Sequence, residues 1–224
     1  HDNLITRKLF ESGVFEEGVS RVSFAPVVLE GGSIDSDGAG TIMTTVSCLT
    51  SVNRNDHLNK DGMEAVLKSA LGAVRVLWLN HGMLVGDDTG GHIDTLARFC
   101  GEDTIAYVRC YDPYDEHYAG LIEMEREISS FRRRNGRPYR LIPLPLPPRI
   151  EWKGERLPAT YANFLIINEA VLMPSYGTDT DGTALDALSK AFPDRKVIAI
   201  DCRPLIRQHG SLHCVTMQYP LNFI

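Results

Sequence analysis

The sequence predicts an α/β protein made of repeated strand–strand–helix–strand units. This order of elements recurs three times along the 224 residues, with a period of roughly 65 residues. The apolar share of 43% is that of an ordinary globular protein, so a sizeable core is expected. Such a period indicates units arranged around a common axis, and a non-repetitive α/β sheet is the alternative.

The first unit is predicted as strands at residues 26–29, 41–46 and 74–79, with a helix at 61–71 before the last strand. Asp61 is expected to cap the N-terminus of that helix and Gly72 to end it. A glycine turn at residues 31–32 follows the first strand.

The later units repeat the pattern. The second is predicted as strands at 93–99, 104–108 and 139–142 with a helix at 115–134, and the third as strands at 161–167, 170–173 and 197–200 with a helix at 182–192. The proline-rich stretch 143–148 is incompatible with a helix or a central strand and is interpreted as an extended connector. Residues 214–216 are interpreted as the first strand of a further unit. A single domain is predicted, with units at about 22–80, 90–146, 158–203 and 210–224.

Net charge and cysteine content limit which classes of protein this sequence can belong to. The net charge of −6 disfavours a general nucleic-acid footprint, and no apolar run reaches the length of a membrane span. The five cysteines are irregularly spaced and include no Cys-x-x-Cys, which predicts reduced thiols in the cytoplasm. Because the chain opens at His1, we interpret it as a fragment or a processed product.

Four polar clusters lie at matching places in the units. They are residues 30–32, 91–94, Asn163, and 210–214. If the units surround an axis, these places converge at one end of it, which brings together Glu30, His92, Asp94, Asn163 and Cys214. A Cys and a His that are distant in sequence can meet as nucleophile and proton carrier.

Plainer interpretations of these residues stay open. His92 could be an ordinary core histidine, although the glycines before it would permit close approach of a ligand. Cys214 could be a structural thiol. His209, His213 and Cys214 lack a further ligand run, so no metal site is predicted.

Motifs at these clusters resemble a known family. Residues 29–32, 91–94, 161–164 and 212–216, together with 52–55, are similar in order and spacing to the agmatine deiminases and bacterial-type peptidylarginine deiminases. The resemblance implies the pentein fold, a five-unit α/β propeller, with the N-terminal part of the ring missing from this chain. The family's earlier Trp-x-Arg-Asp segment, which supplies a second guanidinium-binding carboxylate, is absent from these 224 residues.

The resemblance also implies a chemistry. Cys214 matches the nucleophile, His92 the general acid/base and Asp94 a carboxylate that holds the guanidinium, while Glu30 and Asn163 match positions that line the site. The expected substrate is a small cationic guanidine, with agmatine converted to N-carbamoylputrescine and ammonia without a metal or organic cofactor.

Three other functions stay open at this stage. They are deimination of peptidyl-arginine, a cysteine peptidase that uses the same Cys and His, and a non-catalytic, truncated guanidinium-binding protein. No nucleic-acid or membrane partner is expected, and a homo-oligomer is left open.

Overall fold

The fold contains three small mixed sheets, one for each predicted unit. The computed structural model describes residues 4–224. The first sheet contains β1 (Ile34–Ser36), β2 (Thr41–Thr45) and β3 (Arg75–Leu79), the second β4 (Ala97–Phe99), β5 (Thr104–Arg109) and β6 (Arg140–Pro145), and the third β9 (Leu165–Ile166), β10 (Ala170–Ser175) and β11 (Lys196–Asp201). A two-stranded hairpin, β7 (Glu151–Trp152) and β8 (Glu155–Arg156), lies between the second and third sheets in sequence.

All three sheets have the same topology. The first two strands pair antiparallel, and the third strand pairs parallel to the second. The parallel connections contain helices: α3 (Lys60–Leu71), α4 (Tyr118–Ser130) and α5 (Asp181–Ala191). Two shorter helices, α1 (Ile5–Glu11) and α2 (Val46–Leu49), were not predicted. The threefold repeat of strand, strand, helix and strand is therefore present.

Each long helix buries one apolar stripe against its sheet. Met63 and Leu67 of α3 are fully buried, as expected for positions four residues apart on one helix face. The predicted N-cap was wrong: the side chain of Asn59, not Asp61, accepts a hydrogen bond from Gly62 N at 2.9 Å. Gly72 ends the helix in the left-handed conformation, with φ of 68°, as predicted.

The first predicted strand, at residues 26–29, is wrong. This segment is irregular because its backbone groups bond to a side chain instead of a neighbouring strand. Asn55, fully buried, accepts from Val28 N and donates to Val28 O, both at 2.9 Å. The first strand of the unit is β1, which begins after the glycine turn.

Three other predicted strands near the polar clusters also differ from the structure, and one of them, predicted at 161–167, is reduced to β9, Leu165–Ile166, so that Asn163 precedes the strand. Ile93–Thr95 form a 3-10 turn, and the strand begins only at Ala97. Residues 214–216 are not a strand, because His213–Val215 form a 3-10 turn. The polar residues of these clusters therefore lie on or beside tight turns, not on strands.

The proline-rich segment is consistent with the strand rules. Pro143 and Pro145 belong to β6, which is an edge strand of its sheet, so no interior ladder hydrogen bond is lost.

A buried ion pair connects the three units. Asp35 of β1 accepts from Arg98 Nε of β4 at 2.6 Å and from Phe99 N at 2.5 Å. Arg98 also donates to the carbonyl of Phe164, which lies just before β9, at 2.9 Å. Removing one partner of such a buried pair leaves the other charge uncompensated and lowers the free energy of unfolding by about 3–5 kcal/mol.

Within residues 4–224, no helix has both the length and the apolar character needed to cross a bilayer.

Candidate active site

A cavity of about 1120 Å³ opens where the first strands of the units begin. Its wall contains Glu30, His92, Asp94 and Cys214, which are four of the five predicted site residues. Asn163, the fifth, is fully buried behind this wall. The structure therefore brings all five residues to one place, although they are far apart in sequence.

The loop before His92 is held rigidly by its own polar side chains. Asp87 accepts hydrogen bonds from Thr89 N at 3.0 Å and Gly91 N at 2.9 Å, and Thr89 Oγ1 accepts from His92 N at 3.1 Å. Gly91 has φ of 93°, and a Cβ there would lie 2.9 Å from Ser47 Oγ. This fixes the position from which the His92 ring enters the cavity.

The ring of His92 is oriented by a carboxylate. Its Nε2 lies 2.5 Å from Glu30 Oε2. Burial raises the pKa of Glu30, but hydrogen bonds from Arg54 and His92 outweigh it and leave that pKa lowered. Glu30 is therefore ionised at neutral pH, and because an ionised carboxylate only accepts, Nε2 must carry the proton. The other nitrogen, Nδ1, faces Asp94, whose Oδ1 is 4.0 Å away.

Asp94 is the central acceptor of the cavity. The residue is 1% exposed, and its Oδ2 lies 2.8 Å from His213 Nδ1. Its Oδ1 is buried and has no hydrogen-bond partner among the described residues. An unpaired buried carboxylate oxygen costs free energy, so this atom is suited to receive a donor from a ligand.

The nucleophile candidate lies on a turn that Asn163 fixes. Asn163 Oδ1 accepts from His213 N at 2.8 Å and from Cys214 N at 3.3 Å, and its Nδ2 donates to Asp94 O at 3.3 Å. One buried amide thus bonds both to the Cys214 turn and to the Asp94 segment. Asn163 was predicted to line the site, but it supports the wall from behind.

The sulfur of Cys214 points inward although the residue as a whole is exposed. Sγ lies 3.4 Å from Asn163 Oδ1 and 4.0 Å from Asp94 Oδ2. Burial of the thiol, and next the negative charge of Asp94, raise the pKa of Cys214. The protein's own groups therefore favour the neutral thiol.

Gly32 keeps the centre of the cavity open. A Cβ at this position would lie 2.5 Å from His92 Nδ1 and 2.8 Å from Asp94 Oδ2, which no side chain tolerates. A Cβ on its neighbour Gly31 would meet nothing within 4 Å. Only the second glycine of the pair is thus required by close approach.

A metal fits this site poorly. Glu30, Cys48 and His92 offer ligand atoms within 4.8 Å of one another. Burial raises the pKa of Cys48 to about 11, so a metal would have to displace the proton of a buried thiol to bind there. Glu30 and His92 already bond to each other, and the guanidinium of Arg54 lies against the same carboxylate.

Three contacts were not foreseen from the sequence. They are the pairing of Arg54 with Glu30, that of His213 with Asp94, and the hydrogen bond of His209 Nδ1 to Gly86 O at 2.8 Å. Arg54 lies in a motif that the sequence singled out, at residues 52–55, but without an assigned role. His213 belongs to the cluster at residues 210–214, and His209 directly precedes it.

The chain is similar to known proteins over most of its length. The model of the Porphyromonas-type peptidyl-arginine deiminase family matches residues 1–220. A curated protein of Marinomonas sp. (strain MWYL1), named "Putative agmatine deiminase", is 38% identical in an alignment of 216 residues that covers 89% of this chain and 58% of that protein. The chain thus spans less than two thirds of the length of this relative.

Solved structures give the same result. The "Putative Arginine Deiminase from Porphyromonas gingivalis" is 57% identical with a TM-score of 0.98, over 100% of this chain and 66% of that chain. A variant of the C. jejuni agmatine deiminase with substrate bound is 42% identical with a TM-score of 0.86, over 95% of this chain and 61% of that chain. By the extent of the family match and the identity to these relatives, this chain belongs to the family of agmatine deiminases and Porphyromonas-type peptidyl-arginine deiminases.

Proposed function

We propose that the full protein hydrolyses a guanidinium group with Cys214 as the nucleophile, and that agmatine is its substrate. The observation that carries the proposal is the unpartnered, buried Oδ1 of Asp94, which lies in the same cavity as the thiol of Cys214 and the ring of His92. The agmatine deiminase relatives support the choice of substrate. The products are N-carbamoylputrescine and ammonia.

Binding follows from the chemistry of the guanidinium. It is planar, stays protonated and presents a fork of donors that a carboxylate accepts. Asp94 Oδ1 takes one donor at once, whereas Oδ2 becomes available when His213 yields its hydrogen bond. Asp88 also lines the cavity and is placed to attract the distal ammonium of agmatine.

Substrate binding also activates the nucleophile. Burial, and next the carboxylate of Asp94, raise the pKa of Cys214, and a bound guanidinium neutralises the second of these effects. The thiolate then forms when the substrate cation is present.

The reaction then proceeds in two stages. Nδ1 of His92, which carries no proton in the free site, takes up the proton that the Cys214 thiol releases. The resulting thiolate attacks the central guanidinium carbon, and Nδ1 passes that proton to the departing amine, which leaves as ammonia. The remaining amidino-thioether is attacked by water, from which His92 now removes a proton. The carbon–sulfur bond breaks and yields the ureido product and the free thiol, so one water is consumed for each ammonia released.

Peptidyl-arginine is the second candidate substrate, because the matching family model carries that name and the cavity is open. Its outer wall includes the half-exposed side chains of Val215 and Met217, which could contact a peptide.

The rest of the protein is inferred from the family. We propose that the three units belong to a pentein propeller within a single catalytic domain, in a cytoplasmic enzyme that needs no metal.

The test is direct. Full-length protein is incubated with agmatine, arginine and an arginyl peptide, and ammonia and ureido product are measured together. We expect both products, in equal amounts, from agmatine. Product from the arginyl peptide alone would favour the second candidate. Amide cleavage without ammonia would indicate a peptidase, and absence of a ureido product from all three would contradict the proposal.

A further inference from the structure

The conformation of His92 depends on a residue outside the cavity. Arg54 donates a hydrogen bond from Nε to Glu30 Oε2 at 2.9 Å, and its Nη2 lies 2.7 Å from the same oxygen as an ion-pair contact. The same oxygen accepts from His92 Nε2 at 2.5 Å. One carboxylate oxygen thus accepts hydrogen bonds from both Arg54 and His92 and pairs with the charge of the guanidinium.

Arg54 also reaches the loop that carries the imidazole. Its Nη2 donates to Thr89 O at 2.8 Å, and Thr89 Oγ1 in turn accepts from His92 N at 3.1 Å. The guanidinium therefore fixes the ring of His92 through Glu30 and its backbone through Thr89.

A tight turn that is hydrogen-bonded to the segment before Glu30 sets the position of Arg54. Arg54 N and Asn55 N both bond to Ser51 O in a tight turn. Asn55 bonds the turn to Val28, two residues before Glu30, through both backbone groups of Val28. The Arg54 side chain, 14% exposed, thereby lies against Glu30.

We propose that Arg54 is a positioning residue for His92: it holds Glu30 ionised and in place, so that Nε2 keeps its proton and Nδ1 stays directed at the substrate. The expected fall in kcat rests on the proposed hydrolysis, whereas the expected change in the tautomer of His92 does not. Charged and titratable groups that face this cluster are Asp87, Asp94 and Cys48.

The two roles of Arg54 can be separated by substitution. Arg54→Met removes the charge and both hydrogen-bonded branches at similar length. Arg54→Lys keeps a positive charge, but a single ammonium does not reproduce the planar fork that joins Glu30 to Thr89. Arg149→Met is a matched control, because Arg149 forms exposed ion pairs with Glu116 and Glu151.

Kinetics give the first measurement. We expect Arg54→Met to lower kcat for agmatine about 10- to 100-fold, as for other residues that orient a ligating or catalytic histidine, with KM changed by less than about threefold. Arg54→Lys should be intermediate, and Arg149→Met should match the wild type.

The second measurement does not need turnover. ¹⁵N NMR of the His92 ring should report a single tautomer with the proton on Nε2 in the wild type and in Arg149→Met, and a mixture of tautomers in Arg54→Met. Should Arg54→Met fail to fold, the same comparison is made with Arg54→Lys.

The outcomes separate the two proposals. A wild type that hydrolyses none of the guanidines, with a tautomer that still depends on Arg54, contradicts the proposed function and supports this inference. An unchanged Nε2–H tautomer, with kcat within about threefold of the wild type, overturns the role of Arg54.

Discussion

The two halves of the candidate site are built differently. His92 and Asp94 are almost fully buried and lie on a loop that the side chains of Arg54, Asp87 and Asn163 hold in place. Cys214 lies on an exposed 3-10 turn followed by residues 216–224, which form no helix or strand. In the proposed mechanism, the half that transfers protons is therefore preorganised, whereas the half that holds the nucleophile depends on a few contacts and on the charge of the substrate.

Removing the sulfur should have the largest effect. Cys214→Ser keeps the size and the backbone contacts but replaces the thiol by a poor nucleophile, so we expect at least about a 10⁴-fold loss of kcat. Because the residue is exposed, the thermal unfolding midpoint should stay at the wild-type value. Ammonia release and circular dichroism check the two parts, and activity within tenfold of the wild type would remove Cys214 from the chemistry.

Filling the preorganised half should come next. Gly32→Ala places a methyl group against His92 Nδ1 and Asp94 Oδ2, and we expect about a 100-fold loss of kcat/KM. Gly31→Ala in the same turn, where a methyl group meets nothing within 4 Å, is the matched control and should keep its activity. Equal rates for the two variants would show that substrate does not use the space between His92 and Asp94.

Disconnecting the two halves should have an intermediate effect. Asn163→Leu leaves the backbone N–H groups of His213 and Cys214 without their acceptor, which should cost about 1–3 kcal/mol of unfolding free energy. Activity should also fall roughly tenfold, because the Cys214 turn is no longer held at a fixed position relative to Asp94. Urea denaturation with Asn168→Leu, an exposed asparagine of the same unit, as control tests this. An unchanged midpoint would show that the turn is held by other contacts.

The smallest expected effect is on the pKa of the Cys214 thiol. Here the substitution should make the thiol more reactive, although it abolishes turnover. Asp94→Asn removes the negative charge that helps to raise the pKa of Cys214. The thiolate fraction at neutral pH should then rise, and alkylation by iodoacetamide should become up to about tenfold faster, since one pKa unit is a factor of ten. Peptide mass spectrometry at pH 7 measures the rate at Cys214 alone, while turnover by the same variant should be lost. Slower alkylation in Asp94→Asn would contradict the electrostatic account.

Much of the architecture could be predicted because apolar periodicity reports it directly. The helix containing Met63 and Leu67 and the strands β2, β3 and β11 lie within a few residues of their predicted places. Segment 26–29 was misassigned because its apolar residues resemble a strand, while its backbone partner is the side chain of Asn55, 27 positions away. Such a long-range amide contact leaves no local periodic signal.

The site shows the same limit. The order of the motifs identified the five candidate residues Glu30, His92, Asp94, Asn163 and Cys214. It did not predict which groups each of them contacts. Glu30 was expected to line the site without a defined partner, and the structure shows its carboxylate bonded to His92 and Arg54. The pKa of Cys214 depends on the depth of its sulfur and on the distance to Asp94, both of which are set by tertiary packing.

The ion pair between Asp35 and Arg98 has a consequence for how this protein loses activity. Because the guanidinium of Arg98 also bonds to Phe164, one side chain joins three separate repeats beneath the cavity. If one repeat tilts, its reactive group leaves the common centre while every sheet keeps its own ladder. Heating would then abolish the proposed hydrolysis at temperatures where the secondary structure is still intact.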